Sequence, residues 1–145
     1  MDNENFSIQL VVDRSAREVF KAVNSVSTWW TGNLTGSSQK LNDEFTVRFG
    51  DVHVSTQKLV EIIPDKKVVW LVTDSQLNFI KHKEEWTGTR IHFEIAEEGG
   101  RTQIHFTHIG LVPEIECYNG CSKGWDYYIK GSLFKLLTEG KGQPG

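Results

Sequence analysis

The stretch WTGTRIHFEIAEEGGRTQIHFTHIGLVPEIECYNGCSKGWDYYIKGSLFKLL, residues 86–137, decides the fold. Apolar and polar residues alternate at 89–96 and again at 101–109, and a turn ending in Gly99-Gly100 separates the two segments. Such alternation is typical of strands with one buried face, so the two segments predict a hairpin. A helical pattern around Gly124-Trp125 follows. The order predicts a sheet whose concave face is covered by a C-terminal helix, with a cavity between the two.

Two registers of this hairpin fit the sequence. If Gly99-Gly100 alone forms the loop, Phe93 faces Phe106; if the loop is 97–100, Phe93 faces Ile104. Both registers place the same apolar residues on the face toward the core, namely Ile91, Phe93, Ile95, Ile104 and Phe106. The opposite face carries His92, Glu94, Gln103 and His105 and is expected to be solvated. His108 falls on the apolar face, near the end of its strand.

The terminal helix is expected to begin between Pro113 and Gly120 and to end at Gly140, a residue type that favours a helix C-terminus. Apolar residues recur at steps of three and four, which predicts the face that lies on the sheet. That face comprises Cys121, Trp125, Tyr128, Ile129, Ser132, Leu133 and Leu136. Gly120, Gly124 and Gly131 line one flank, and they indicate either close backbone approach to a strand or room for a ligand.

The first half of the chain predicts one strand, two short helical pieces and an antiparallel meander. A strand is expected at 6–12, and Ser15 and Glu18 fit a capping box at the start of the first helix. The second helical piece carries Trp29-Trp30. The meander is expected at 44–49, 52–63 and 67–73, with the most apolar strand, 67–73, in the centre of the sheet. Residues 32–42 are expected to be a loop that could include a short edge strand, and residues 74–83 a polar connection.

The totals predict one domain over 1–145, with 1–5 and 140–145 frayed. The 16 Lys and Arg against 19 Asp and Glu give a net charge of −3, so no basic field for nucleic acid exists. No apolar run is long enough to insert into a membrane, and the acidic N-terminus is unlike a signal peptide. Cys117 and Cys121, four residues apart, are expected to be reduced thiols on one helix face, which favours a cytoplasmic protein.

Three segments carry a resemblance to a known family: KEEWTGTRIHFEI, GGRTQIHFTHIGL and GWDYYIKGSLFKLL. They resemble the subgroup of the START-like (SRPBCC) superfamily that is related to the activator of the Hsp90 ATPase. The resemblance implies an α+β helix-grip fold, with a curved antiparallel sheet of six to seven strands wrapped around a long C-terminal helix and two short helices after the first strand. It also implies an elongated hydrophobic cavity, which relatives use to carry lipids, hormones or polyketides.

The expected function is binding of a small apolar or amphipathic ligand in that cavity. The residues expected to line it are Phe45, Val47, Trp70, Phe93, Ile104, Phe106, His108, Trp125 and Tyr128, with Tyr128 and His108 orienting the ligand. The alternative for His108 is a strand-end histidine whose hydrogen bonds are satisfied by the backbone near Gly110. Trp29-Trp30 would cover one mouth of the cavity, or all five tryptophans serve packing alone.

Two other functions remain open: modulation of an Hsp90-type chaperone, and catalysis in the cavity as a cyclase or hydrolase. Catalysis would need a titratable pair, for which His108 and Tyr128 are the candidates. No catalytic motif, cofactor or metal site is predicted. His92, Glu94 and His105 could approach one another on the outer face, but a solvated cross-strand pair explains them better than a metal. The facing of His53 and the oligomeric state are left open.

Overall fold

A seven-stranded antiparallel sheet forms the frame of the protein, in the spatial order β1-β7-β6-β5-β4-β3-β2. The computed structural model describes residues 4–145. The strands are β1 (Phe6–Val12), β2 (Leu34–Gly36), β3 (Glu44–Phe49), β4 (His53–Ile63), β5 (Lys67–Leu77), β6 (Arg90–Glu98) and β7 (Arg101–Ile109). The predicted sheet is confirmed, and the strand that starts at Lys67 lies in its centre, as its apolar composition indicates.

The helical elements follow the first strand and the last strand of the sheet. They are α1 (Ala16–Asn24), a single 3₁₀ turn (Val26–Thr28), α2 (Tyr118–Trp125), a π-helical segment (Asp126–Leu133) and α3 (Phe134–Glu139). The capping box at the start of α1 is confirmed, since Ser15 Oγ accepts from the Glu18 amide and Glu18 Oε1 accepts from the Ser15 amide. The last three helical elements are continuous and are called the C-terminal helix below.

The β6–β7 hairpin has the shorter of the two predicted loops. Phe93 pairs with Phe106 and Ile95 with Ile104, so Gly99-Gly100 alone makes the turn. Both glycines have positive φ, 63° and 83°, the backbone of a two-residue hairpin turn that side chains disfavour. The apolar face of this hairpin is buried, as predicted.

The prediction of a polar connection at 74–83 is wrong in its first part, because β5 continues to Leu77. Ser75 and Leu77 are buried while Asp74 and Gln76 are exposed, so the alternation of a half-buried strand persists through polar residues. Pairing with β4, in which His53 lies opposite Leu77, satisfies the backbone. The sequence gives little sign of this because the segment is rich in turn-forming residue types.

Two irregularities in the β4–β5 ladder curve the sheet. Its register shifts between Thr56 and Gln57 and again between Leu59 and Glu61. A bulge bends its strand and increases the local twist, so two on the longest strands turn the sheet around the helix. One buried cluster, running from Ile8 to Leu137, fills the space between sheet and helix.

The C-terminal helix ends at Gly140, as predicted, with φ of 83°. Its middle part was not foreseen: the Phe134 amide donates to Ile129 O, five residues earlier, where an α-helix would use the residue four earlier. A π-helical turn shifts the helix faces, yet the predicted stripe still meets the sheet. Trp125, Ile129 and Leu133 are all buried in it.

Residues after Gly140 return to the start of the sheet, where the sequence predicted fraying. The Gly145 amide donates to Trp30 O (2.9 Å), and Thr31 Oγ1 donates to Gly145 O (2.7 Å). The Gln143 amide donates to Ser132 Oγ (2.7 Å), which itself donates to Trp29 O (2.6 Å). These long-range contacts satisfy backbone groups that a frayed end would give to water.

Candidate functional site

All five tryptophans are buried in one cluster at the centre of the protein. Trp30 lies in its middle, with its ring centroid 6.3 Å from Trp29, 5.7 Å from Trp70, 6.3 Å from Trp86 and 5.0 Å from Trp125. The interplanar angles are 28° or less, so the rings are stacked. The cluster joins the helical turn after α1, the central strand, the β5–β6 loop and the C-terminal helix in one aromatic core.

An apolar pocket of about 150 Å³ opens beside this cluster, between α2 and the ends of β3 and β4. Six aromatic side chains line it: Trp30, Phe49, Phe79, Trp86, Trp125 and Tyr128. The rest of the lining is His53, Cys121, Gly120 and Gly124. No Lys, Arg, Asp or Glu of residues 4–145 contributes to it. An apolar lining of this kind suits apolar molecules and would penalise a charged one.

Two helix glycines create the space. A Cβ built on Gly124 would meet no neighbouring atom within 4 Å, and one built on Gly120 would touch only the Phe79 ring, at 3.5 Å. Of the two interpretations of the helix glycines, room rather than close strand approach therefore fits Gly124. Gly131 also has open space around it, but it does not line the pocket.

The segment Glu85–Thr89, which carries much of the family resemblance, ties the β5–β6 loop to the rest of the site. The Glu85 carboxylate accepts from the Glu116 amide (2.8 Å) and the Cys117 amide (2.9 Å), just before α2. Thr87 Oγ1 lies 2.9 Å from Ser75 Oγ. Trp86 lies between Glu85 and Thr87 in the chain, so these two interactions position its ring, which lines the pocket.

Positive φ explains the glycines at two further positions of the resemblance, and close packing adds to it at Gly110. Gly88 has φ of 90°, which favours glycine. Gly110 has φ of 107°, and a Cβ built on it would lie 2.6 Å from Thr89 Cγ2. The Gly110 amide donates a hydrogen bond to Asn5 Oδ1 (3.0 Å). These glycines allow the loop and the end of β7 to pack together.

His108 is fully buried and both of its ring nitrogens are engaged by the protein. Trp125 Nε1 donates to His108 Nδ1 (3.0 Å), so this nitrogen is unprotonated and the proton of the neutral ring lies on Nε2. Nε2–H then donates to Thr89 Oγ1 (2.8 Å), whose hydroxyl donates to Trp86 O (2.6 Å). Burial, helped by the nearby His53, lowers the pKa of His108 to about 3. Of the two interpretations of His108, the satisfied histidine fits this geometry, but its partners are the side chains of Trp125 and Thr89 and not the backbone near Gly110.

His53, whose facing the sequence left open, is the histidine that lines the pocket. Its ring stands edge-on to Trp86 (centroids 4.7 Å apart) and Phe49 (5.2 Å). Its Nε2 lies 2.8 Å from Ser55 Oγ, which also accepts from Gln57 Nε2 (2.6 Å). Burial lowers the pKa of His53 to about 4, so the ring is neutral near pH 7.

Hydrogen-bond accounting assigns the His53 proton. The buried Ser55 hydroxyl already accepts from Gln57, and within residues 4–145 its one acceptor is His53 Nε2. Because buried hydroxyls are almost always satisfied, Ser55 donates to Nε2. The proton of the neutral imidazole then lies on Nδ1, which forms no hydrogen bond with another described residue.

Of the nine residues predicted to line a cavity, Trp125 and Tyr128 line the pocket. The other seven, Phe45, Val47, Trp70, Phe93, Ile104, Phe106 and His108, are at most 1% exposed and pack in the core. Of the Trp29-Trp30 pair, Trp30 borders the pocket, whereas Trp29 is buried in the core. His53 could have been found from the turn, since Phe49 and His53 pair directly across residues 50–52 and so share a face.

The outer face of the hairpin carries the predicted cross-strand pair. Glu94 lies opposite His105, with Oε1 and Nδ1 3.7 Å apart and both side chains solvated. A different group, His82, Glu85 and Glu116, brings potential ligand atoms within 4.8 Å of one another. Its carboxylates are already used: Glu116 Oε1 accepts from the Lys81 and His82 amides (3.0 Å each), which lowers its pKa. This group caps backbone amides.

Cys117 and Cys121 are free, buried thiols one helical turn apart. A hydrogen bond with Cys121, followed by burial, raises the pKa of Cys117 far above its ordinary value. A thiol that stays protonated is a poor nucleophile, so Cys117 is a packing residue. No helix among residues 4–145 has both the length and the apolar character needed to cross a membrane.

Comparison with known proteins identifies relatives of this fold. The sequence model described as "Activator of Hsp90 ATPase homolog 1-like protein" matches residues 13–138. The solution structure of the Aha1 dimer from Colwellia psychrerythraea is similar, with a TM-score of 0.76 at 23% identity, covering 95% of this chain and 98% of that one. No curated protein sequence matches the chain.

Two further structures show the same fold at lower identity. An HSP90 activator from Plasmodium falciparum has a TM-score of 0.63 at 14% identity, covering 92% of this chain and 94% of that one. DynU16, from the dynemicin biosynthetic locus, has a TM-score of 0.69 at 15% identity, covering 97% of this chain. The chain spans about half of DynU16, 49% of its length. The resemblance in fold is therefore to whole proteins and to one half of a larger one.

Proposed function

The chain belongs to the family described as Activator of Hsp90 ATPase homolog 1-like protein, and from that premise we propose that it is a binding domain for a small, largely apolar molecule. The observation that carries the proposal is the pocket of about 150 Å³ lined by six aromatic rings, two helix glycines, His53 and Cys121. Surface pockets with this composition are the usual place for small ligands. Two free thiols fit the cytoplasmic location we propose for it.

The volume limits the ligand. Pockets for drug-sized ligands measure roughly 300–1,000 Å³, whereas a dry apolar cavity of about 150 Å³ engineered in another protein holds benzene. The occupant we propose is therefore one aromatic ring with a short substituent, six to nine non-hydrogen atoms by this comparison. A lipid or polyketide chain would need Trp30, Trp86 and Trp125 to separate. Packing in the aromatic core opposes that separation.

The size of the ligand also sets the affinity. At roughly 0.5–0.8 kcal/mol per non-hydrogen atom, within the range for small ligands, an eight-atom molecule gains about 4–6.5 kcal/mol. That corresponds to a Kd of about 20 µM to 1 mM. Binding assays should therefore use high ligand concentrations, and toluene is a suitable first probe.

The test is a titration of the wild type and of two glycine variants with toluene, in which NMR or calorimetry detects binding. Gly124→Leu should abolish binding, because the new side chain enters the pocket. Gly131→Leu adds the same side chain to the same helix outside the lining and should leave the Kd within twofold. If either variant fails to fold, Gly124→Ala and Gly131→Ala form a milder pair with a smaller expected difference. Toluene binding unaffected by Gly124→Leu would refute this site.

The family description favours a second function, modulation of an Hsp90-type ATPase. The test is the ATPase rate of such a chaperone with and without saturating amounts of this protein. A change in rate would support the second function, and no change at saturation would exclude it for that chaperone. Because the ligand pocket and a chaperone contact could coexist, Gly124→Leu should be assayed in parallel: a change that persists in this variant would not depend on the pocket.

The geometry does not support the His108–Tyr128 pair as a catalytic site. His108 has both ring nitrogens in hydrogen bonds to Trp125 and Thr89, and it does not line the pocket. A general base needs a free nitrogen within reach of its substrate. The proposal is accordingly one of binding.

A further inference from the structure

The polar groups of the pocket point to one specificity-determining residue. Six lining side chains carry hydrogen-bonding atoms: His53, Tyr128, Cys121, Trp30, Trp86 and Trp125. The Trp125 indole N–H is already donated to His108, and the Trp86 indole N–H is fully buried. The Tyr128 hydroxyl is approached closely by the returning chain, since a Cβ built on Gly145 would clash with it. The Cys121 thiol is a weak donor. The donors left for a ligand are therefore the Trp30 indole N–H and the His53 ring, and of these His53 is the one held by a further hydrogen bond.

His53 is held in one orientation by its neighbours. Ser55 fixes Nε2 from the sheet, while Trp86 and Phe49 stand edge-on against the ring. The proton assignment above leaves Nδ1–H as a donor with no acceptor among the described residues. Nδ1 is not one of the fully buried unpaired polar atoms of the described residues, so it remains accessible. A ligand that covers this donor without accepting its hydrogen bond would leave it unpaired, which is costly.

The absence of charged side chains in the lining limits which hydrogen-bond acceptors a ligand can carry. No cationic side chain of the described chain lines the pocket, so a carboxylate or phosphate would be buried without a counter-charge. A ligand that offers only a donor would leave Nδ1–H unpaired. A neutral carbonyl or ether oxygen meets both conditions, and the aromatic walls accept the flat apolar remainder of such a molecule.

We propose that His53 makes the pocket selective for small neutral aromatic molecules that carry a hydrogen-bond acceptor, an aryl ketone being the simplest example. This inference rests on the proposed function, because it names the chemical class of the ligand for the same pocket. The ligand's ring would lie among Trp30, Trp86 and Trp125, and its oxygen would accept from His53 Nδ1–H.

The test uses two probes of equal shape, acetophenone and α-methylstyrene, in which a CH₂ group replaces the carbonyl oxygen. Both Kd values are measured for the wild type and for His53→Phe. The ratio of the two Kd values is compared between proteins, which removes the difference in hydration between the probes. The wild-type ratio should favour acetophenone about fivefold more than the variant ratio does, the size of one typical net hydrogen bond.

The outcomes separate the two proposals. If both probes bind and the ratio is the same in both proteins, the selectivity is refuted and the proposed binding function stands. If neither probe binds the wild type, both fail. Should His53→Phe not fold, ¹⁵N NMR of the wild-type imidazole gives the same answer. Acetophenone, but not α-methylstyrene, should then shift the Nδ1 resonance of His53 and slow exchange of its proton, and equal effects of both probes would overturn the inference.

Discussion

The indole N–H of Trp125 donates a hydrogen bond to Nδ1 of His108 across 3.0 Å, in the fully buried interior. This bond joins the C-terminal helix to β7, and the other ring nitrogen continues the chain of bonds to Thr89. The helix is therefore fixed on the sheet by a directional contact as well as by apolar packing.

Replacement of His108 by Leu should destabilise the protein by about 2–4 kcal/mol, because it leaves the Trp125 N–H buried without an acceptor. The free energy of unfolding from urea denaturation measures the effect. His105→Gln, on the solvated face of the same strand, is the control and should change stability by about 0.5 kcal/mol or less. Equal stability of His108→Leu and wild type would show that the network contributes nothing.

Stability should fall as the pH drops from 7 toward 5. The folded-state pKa values of His53 and His108, about 4 and about 3, lie below the ordinary value of 6.5. Protons therefore bind the unfolded chain more strongly, and the stability present above pH 6.5 is lost progressively below it. Between pH 7 and pH 5.5 the two residues together should lower the free energy of unfolding by about 2–3 kcal/mol.

Denaturation at a series of pH values checks this dependence. His108→Leu, with one such histidine fewer, should show a slope about half as steep over the same interval. A wild-type free energy of unfolding that is constant from pH 7 to 5.5 would mean that these rings are protonated in the folded state as readily as in the unfolded one.

Glu85 should contribute more to the stability of the fold than its neighbour Glu84, although both are acidic residues in the same loop. Glu85→Ala removes the acceptor of the Glu116 and Cys117 amides, and loss of such a cap costs about 1 kcal/mol. Glu84→Ala is the matched control, with an expected change below about 0.5 kcal/mol. Thermal unfolding of both variants compares them, and indistinguishable values would contradict the capping role.

The whole chain should unfold as one unit, as the proposed single domain requires. The buried cluster extends from β1 to α3 and includes every tryptophan. Tryptophan fluorescence and far-UV circular dichroism should then give the same denaturant midpoint. Two separate midpoints would show that the helix and the sheet unfold independently.

The sequence predicted the fold in those places where local rules operate. The capping box at Ser15, the turn at Gly99-Gly100 and the helix end at Gly140 each depend on residues a few positions apart. The central place of the 67–73 segment followed from its apolar composition. Local rules could not foresee that β5 extends to Leu77, because pairing with β4 overrides the polar composition of its last residues.

The site was harder to predict because long-range packing decides it. Periodicity placed Phe93 and Phe106 inside correctly, but it could not show that the tryptophans fill the centre and that an aromatic-lined pocket lies beside Gly124. His108 lies on the apolar face as expected, yet its partners Trp125 and Thr89 come from other elements. The π-helical segment likewise has no local signature in the sequence.

The central claim is that a single aromatic ring occupies the pocket beside Gly124, and intermolecular NMR contacts test it most directly. With toluene bound to isotope-labelled protein, nuclear Overhauser effects should connect ligand protons to Trp30, Trp125 and Tyr128, which all line the pocket. Core residues outside the lining, such as Phe93 and Ile104, should give none. Contacts confined to exposed side chains, or no contacts at saturating toluene, would contradict the account.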